Sequence, residues 1–384
     1  MFNFSYQNPT KIVFGEGQIK ELTKLVPANA KILLTYGGGS IKQNGVYEQV
    51  MQALDGFEVI EFAGIEPNPS FETLLKAIEL VKQAGVTYLL PVGGGSVIDG
   101  TKFIAAAVSY AGDPWDILTR KAKISHAMPL GCVLTLPATG TESNGNSVVT
   151  RYSTQEKLSF ASPLVYPQFA ILDPTVTFSL PPRQVANGVV DAFVHVMEQY
   201  MTYPVNAPVQ DRFAEGLLLT LIEQGPLALS DPQNYDVRAN VMWAATMALN
   251  GLIGQGVPQD WATHMIGHEI TAVYGLDHAQ TLAVVLPALL AEQRVQKRQK
   301  LLQYGRRVWN LQHADEERLI DEAITYTRAF FEQMGVPTRL ADYGIKAEAV
   351  DVLVSKLEQH QMLKLGEHGD ITLEVSRRIL QAAV

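Results

Sequence analysis

The sequence predicts a chain in two parts, an α/β domain with a mostly parallel sheet over residues 1–182 and an all-α domain over residues 183–384. Three observations carry this. Up to about residue 180, short β-type runs alternate with amphipathic helical stretches, the pattern of a parallel sheet with covering helices. Beyond about 183, long helical periodicities take over. Between them stand Leu180, Pro181 and Pro182, and prolines end strands and sit well at helix starts. A chain of 384 residues is also long for one core, and two domains of about 200 residues each are the natural division.

The strands of the first part are read from KILLTY (31–36) and TYLLPV (87–92), which both run into glycines, GCVLTLP (131–137), which ends in a small polar loop, and FAILDP (169–174). Between them FETLLKAIELVKQAG repeats apolar residues every three or four positions, as a helix packed on a sheet requires. In the second part RFAEGLLLTLIEQG, VRANVMWAATMALNGLIG and EERLIDEAITYTRAFFEQMG read as helices.

Composition excludes several classes of function. Apolar residues make up 47% and charged residues 18%, which places the chain among globular proteins rather than disordered ones. With a net charge of −9 and no long Lys or Arg run, neither nucleic acid nor an anionic membrane is expected as a partner. The KRQK at 297–300 reads as a solvated helix face. The opening MFNFSYQNPTKIVFGEG lacks a basic region followed by a long apolar run, and no stretch reaches the roughly 20 apolar residues of a membrane span, so a cytoplasmic protein is expected. The one cysteine, Cys132, lies in an apolar run and reads as a buried structural thiol.

Three loops have the chemistry of a nucleotide site. PVGGGSVIDGTKFIAAAV is a buried strand, a glycine turn and a helix, in which Gly93, Gly94 and Gly95 let backbone approach a pyrophosphate and the helix N-terminus offers free N–H groups. Gly37, Gly38, Gly39 and Ser40 form a second such loop. An Asp or Glu there would hydrogen-bond an adenosine ribose and repel a 2′-phosphate; glycine and serine suit NADP(H) better, with Lys42 a weak charge partner. The third loop, Thr135 to Ser143, puts hydroxyls after a strand, where α/β folds bind ligands. Tight turns without a ligand, and helix capping by Thr141 or Ser143, would look much the same.

Four of the eight histidines fall in two helical stretches. Asp191 and His195 in NGVVDAFVHVMEQY are four apart and share a helix face. In WATHMIGHEITAVYGLDHAQTLAVVLP, His264 and His268 are also four apart, and His278 follows the turn YGLD. One carboxylate and two or three imidazoles could converge between helices. Burying so many ionisable groups in apolar helices is costly unless a cation or a network compensates them. HMIGH lacks the glutamate of a zinc-protease HExxH, which speaks against peptidase activity. His126, His313, His360 and His368 have loop-like or charged neighbours and read as surface residues.

Taken together, PTKIVFGEG, GGGSVIDGTKF, LTLPATGTESN, DAFVH and the stretch from Trp261 to Thr281 resemble the iron-containing (group III) alcohol dehydrogenase family, within it the branch of NADPH-dependent aldehyde reductases and butanol dehydrogenases. The resemblance spans essentially the whole chain. It implies a dinucleotide-binding α/β domain and a helical metal-binding domain of the architecture shared with dehydroquinate synthase, the active site in the cleft between them, and a homodimer. Position by position, it places the metal ligands at Asp191, His195, His264 and His278, and sets His268 near the nicotinamide and substrate. It assigns Gly37, Gly38, Gly39 and Ser40 to the adenosine side, Gly94, Gly95, Ser96 and Asp99 to the pyrophosphate loop, Thr135 and Thr139 to the nicotinamide side, and Lys157 to the cofactor. The implied reaction is hydride transfer between NADP(H) and a primary alcohol or aldehyde, with one divalent metal, Zn(II) or Fe(II), as Lewis acid and His268 as proton relay. Trp261, Met265, Asn144 and Ile253 are candidates for the pocket of a short-chain aldehyde. Two other readings stand beside this one. A dehydroquinate synthase-like lyase would need basic groups for a phosphorylated substrate, and a non-catalytic nucleotide-binding protein would have a broken ligand set.

Overall fold

The computed structural model describes residues 1–120 and 122–384. It has the architecture expected, a parallel sheet with helices followed by a helical region. Contacts group the chain into two units, residues 7–180 with 233–242, and residues 1–6 with 181–232 and 243–384. A plain split between residues 182 and 183 assigns 1–6, 181–182 and 233–242 differently. The physical reasons are local. Met242 is fully buried against Ile98, Cys132, Leu134, Ala170 and Leu172 of the sheet unit, and the Phe2 amide donates to the Gly256 carbonyl (2.8 Å) in the helical unit.

The sheet unit contains strands β1 (Lys11–Phe14), β2 (Lys31–Thr35), β3 (Glu58–Phe62), β4 (Tyr88–Gly94), β5 (Cys132–Leu136), β6 (Asn146–Arg151), β7 (Glu156–Ala161) and β8 (Phe169–Leu172). Six of them form one sheet in the order β1-β8-β5-β4-β2-β3, and every pairing in it is parallel. Each is short and rich in Val, Ile and Leu, as strands covered on both faces must be. Helices α1 (Leu22–Leu25), α2 (Val46–Ala53), α3 (Phe71–Ala84) and α4 (Gly95–Ala107) lie between the strands. Strands β6 and β7 pair separately as an antiparallel hairpin. The sheet order reverses direction at β2: β3 lies on one side of it and β4 on the other. The carboxyl ends of β2 and β4, where the two glycine loops begin, therefore flank a topological switch point.

The helical unit includes α5 (Pro182–Tyr200), α6 (Pro208–Ser230), α8 (Ala262–Tyr274), α9 (His278–Glu292), α10 (Arg298–Arg307) and α11 (Glu316–Gln333); α7 (Tyr235–Ala248) begins in the 233–242 segment. It is not wholly α, because Lys364–Leu365 and Ile371–Thr372 pair as a two-stranded antiparallel ribbon. The KRQK stretch also departs from expectation. Lys297 and Lys300, three apart on one face, are buried; Lys297 lies 2.7 Å from Asp260 and 2.8 Å from Glu367, and Lys300 pairs with Asp211. Between them Gln299 is exposed and Arg298 is half-buried, bonded to Glu316 and Glu317. Buried carboxylates draw these lysines in, which local sequence does not reveal.

One further buried lysine organises the sheet unit. Lys102, on α4, has no solvent exposure, and its ammonium donates to the Thr141 carbonyl (2.6 Å) and hydroxyl (2.7 Å), to the Asn144 carbonyl (2.8 Å) and Oδ1 (3.1 Å), and to the Asn146 carbonyl (2.9 Å). Burial pushes the ammonium down to about 8, against the pull of the nearby Asp99. It ties the loop after β5 to the helix after β4. Lys102→Ala is expected to destabilise the sheet unit by roughly 3 kcal/mol, because it strands buried acceptors; urea unfolding followed by circular dichroism measures it.

Candidate functional site

In the helical unit, α5 is buried along all of residues 188–200, and its inward face presents Asp191, His195 and Glu198 at positions i, i+4 and i+7. Helix α8 is likewise apolar and presents His264 and His268. His278 is the first residue of α9. That helix start is fixed by a capping box between Asp277 and Gln280, and Asn187 of α5 donates to Asp277 Oδ2 (2.8 Å).

These helices bring Asp191, His195, His264 and His278 together. Each offers one ligand atom, and the four atoms lie within 4.8 Å of one another, the group among the described residues that could hold a metal ion. The rings of His195 and His264 stack with centroids 4.7 Å apart, and their Nε2 atoms are 3.0 Å apart. Asp191 Oδ1, which is buried and accepts no hydrogen bond among the described residues, lies 3.5 Å from His195 Nδ1 and 3.8 Å from His278 Nε2. A buried carboxylate oxygen in that state is costly, and a cation would satisfy it. Three nitrogens and one carboxylate oxygen form a donor set suited to zinc or another first-row divalent metal. The residues present therefore fit such an ion.

His268 stands outside this group, its ring 6.2 Å from His264 and 5.4 Å from His278 between centroids. Glu198, which sequence reasoning missed, meets His264 twice and is buried. Burial and the Asp260 carboxylate push its carboxyl well up, opposed by the amides of His264 and Thr263 and by His195. Its signal in the sequence was its place seven residues after Asp191. Trp261 lies beside the cluster, with centroids 6.3 Å from His195 and 5.3 Å from His264. Ile253 instead lines a cavity of about 240 Å³ with Tyr200, Gln210 and Lys300, and none of the four clustered residues lines it. Of the histidines read as surface residues, His126 and His368 are exposed, but His313 and His360 are half-buried. Each pairs with a carboxylate, His313 with Glu322 (2.5 Å) and His360 with Glu269 (2.6 Å).

In the sheet unit, the predicted loops gather at the carboxyl ends of β2, β4 and β5. Helix α4 begins at Gly95 directly after β4, so its first N–H groups are available. A Cβ on Gly95 would stand 2.6 Å from Thr139 Oγ1, so glycine is needed for β4 and the β5 loop to approach. Gly38 and Gly39 have open space around them, and Gly39 has a left-handed φ of 94°. Ser96 Oγ accepts the Asn68 amide (3.2 Å), and Lys157, on β7 and buried, donates to Asn68 Oδ1 (2.9 Å). Asn68, which sequence reasoning missed, thus joins two predicted residues. Its signal is the flanking Pro67 and Pro69, which set a turn in which it takes a φ of 56°.

Three predicted residues have internal roles. Asp99 accepts the Thr141 hydroxyl (2.5 Å) and the Val148 amide (3.0 Å), so its carboxylate shapes the loop. Asn144 is buried, bonded to the Gly140 carbonyl (2.9 Å) and to Lys102. The Lys42 ammonium is 3.0 Å from Glu61, which also accepts the hydroxyls of Tyr36 and Tyr47 and is held down at about 2 by them. Lys42 is therefore a poor source of uncompensated charge for a phosphate.

Comparison with known proteins agrees with this layout. Residues 9–174 match the iron-containing alcohol dehydrogenase family, and residues 185–384 match the C-terminal domain of the Fe-containing alcohol dehydrogenase family. The chain is 62% identical to the NADPH-dependent aldehyde reductase YqhD of Escherichia coli, with all of both chains covered. It is 44% identical to a probable NADH-dependent butanol dehydrogenase 1 of Bacillus subtilis, covering 93% of each. The crystal structure of E. coli YqhD superposes with a TM-score of 0.99, covering 100% of this chain and 99% of the other. That of NADH-dependent butanol dehydrogenase A of Thermotoga maritima, 37% identical with the same coverage, gives 0.96. The chain belongs to the iron-containing alcohol dehydrogenase family.

Proposed function

We propose that this chain is a metal-dependent oxidoreductase that transfers hydride between NADP(H) and a primary alcohol or aldehyde, and acts chiefly as a reductase of short-chain aldehydes. The observation that carries the reading is the convergence of Asp191, His195, His264 and His278. Support comes from the relatives, whose names are those of aldehyde reductases and butanol dehydrogenases. Neither the lyase nor the non-catalytic reading gains from them, and the ligand set is intact.

In this reading Asp191, His195, His264 and His278 hold one divalent ion, Zn(II) or Fe(II). When bound, the ion supplies a Lewis acid for a carbonyl oxygen and the reduced nicotinamide supplies the hydride. The chain's residues do the rest. Gly94, Gly95 and Ser96, at the start of α4, offer backbone N–H groups to the pyrophosphate. Lys157, fixed by Asn68, brings a buried cation to the same loop. Gly37 to Ser40 leave room and neutral donors for the adenosine 2′-phosphate, and Thr135 and Thr139 line the nicotinamide side. Trp261 covers the rings of His195 and His264 and limits water there. The His268 imidazole holds the proton that the product oxygen receives. Asp99 acts on this face only through the loop it shapes. We assign the protein to the cytoplasm, and to a homodimer; Phe2, Phe4, Val209 and Phe213 are exposed apolar side chains available to a second copy. No helix among the described residues is long and apolar enough to cross a membrane.

Initial rates with butanal test the reading, on protein stripped of metal and reloaded with Zn(II) or Fe(II), against NADPH and NADH. Activity restored by metal, with NADPH preferred, is expected; no activity with either ion and either cofactor overturns it. Gly38→Asp should raise the KM for NADPH by about tenfold or more, because it sets a carboxylate in open space beside the 2′-phosphate. An unchanged NADPH KM would remove the Gly37 to Ser40 assignment. His268→Ala should cut turnover and keep the metal content measured by emission spectrometry; loss of metal would make His268 a ligand instead.

A further inference from the structure

We propose that Glu198 is a positioning residue of the metal site: its carboxylate fixes the ring orientation and tautomer of His264 so that Nε2 alone faces the ion. The inference rests on the metal-site reading above.

Glu198 is buried on the same face of α5 as Asp191 and His195 but does not belong to the ligand group. Both of its oxygens engage His264. Oε1 accepts the backbone N–H of His264 (3.1 Å), and Oε2 lies against His264 Nδ1. A neutral imidazole has one ring proton. With that proton on Nδ1, donated to Glu198, the lone pair is on Nε2, the atom that stands 3.0 Å from His195 Nε2. Turning the ring over would put a C–H against a buried carboxylate oxygen, so the ring has one good orientation. A hydrogen-bond acceptor on the far nitrogen also makes Nε2 a more basic ligand.

The surrounding bonds hold the same turn. The Glu198 carbonyl accepts the Asp260 amide (2.8 Å), and Asp260 Oδ1 accepts the Ala262 amide (2.9 Å) at the start of α8. Asp260 Oδ2 is in turn 2.7 Å from Lys297. The backbone around His264 is therefore fastened to α5 independently of the Glu198 side chain. Changing that side chain should loosen the ring more than the helix.

Glu198→Gln keeps the volume but can accept only one of the two His264 donors, since its amide nitrogen would meet the other. The experiment is Zn(II) affinity by competition with a chelator on metal-stripped wild type and Glu198→Gln, with the melting temperature of each metal-free protein as the control for folding. Zn(II) affinity should fall by about 10- to 100-fold in a variant that is folded without metal. Equal affinity in two folded proteins overturns the inference. Should the variant not fold, ring-nitrogen NMR of metal-free wild type decides, with the His264 signals assigned by their loss in His264→Asn. A proton on Nδ1 is expected, and a proton on Nε2 overturns the inference. Wild-type protein that takes up neither Zn(II) nor Fe(II) removes the metal-site reading, and this inference with it.

Discussion

Burial of ionisable groups inside apolar helices is the constraint on which the helical unit depends. Asp191, His195 and Glu198 occupy a helix with no exposed residue from 188 to 200, and they meet the buried His264 of α8. Hydrogen bonds settle part of the cost: Glu198 takes two donors from His264, and Asp277 takes one from Asn187. They do not settle Asp191 Oδ1, which is buried and accepts no hydrogen bond among the described residues. A cation at the centre of the group would satisfy it, which is why the geometry reads as a metal site and not as a core network.

The sheet unit is governed by a different constraint, close approach of backbone. Reversal of the strand order at β2 opens space between the ends of β2 and β4, and glycine is what keeps it open. Gly95 is forced by Thr139 on the neighbouring loop; Gly38 and Gly39 are not forced by any neighbour, so the space beside them is available to a ligand. Lys102, Asp99 and Thr141 form the support beneath, and they fix the β5 loop relative to α4 without reaching into the open space.

What could be read from the sequence followed from periodicity and chain chemistry. Four strands were legible because Val, Ile and Leu runs end in glycine or proline, and the Asp191/His195 pairing because i and i+4 share a face. His278 could be set with the others only through the family resemblance, since its distance along the chain says nothing about how α9 folds back. Long-range pairing was invisible. Lys297 and Lys300 look like a solvated KRQK, yet their partners Asp260, Glu367 and Asp211 are up to 89 residues away. Glu198 and Asn68 were missed for the same reason: each matters through a residue distant in sequence. The β9–β10 pairing at Lys364–Leu365 and Ile371–Thr372 was missed because two-residue strands have no period to detect.

The disposition of positive charge bears on the choice among readings. A lyase acting on a phosphorylated substrate would need cations left uncompensated at its site. Here Lys297 lies between two carboxylates, Lys300 faces Asp211, Lys102 is buried among loop carbonyls, and Lys42 is held by Glu61. Arg183, the arginine nearest the start of α5, pairs with Asp277 at 3.5 Å. Each of these cations is already paired or enclosed by carbonyls within the chain. In the proposed reading the backbone N–H groups at the start of α4 take the pyrophosphate of the dinucleotide, with Lys157, bonded to Asn68, at the same loop. A substrate without a phosphate of its own, such as a small aldehyde, makes no demand that the helical unit fails to meet.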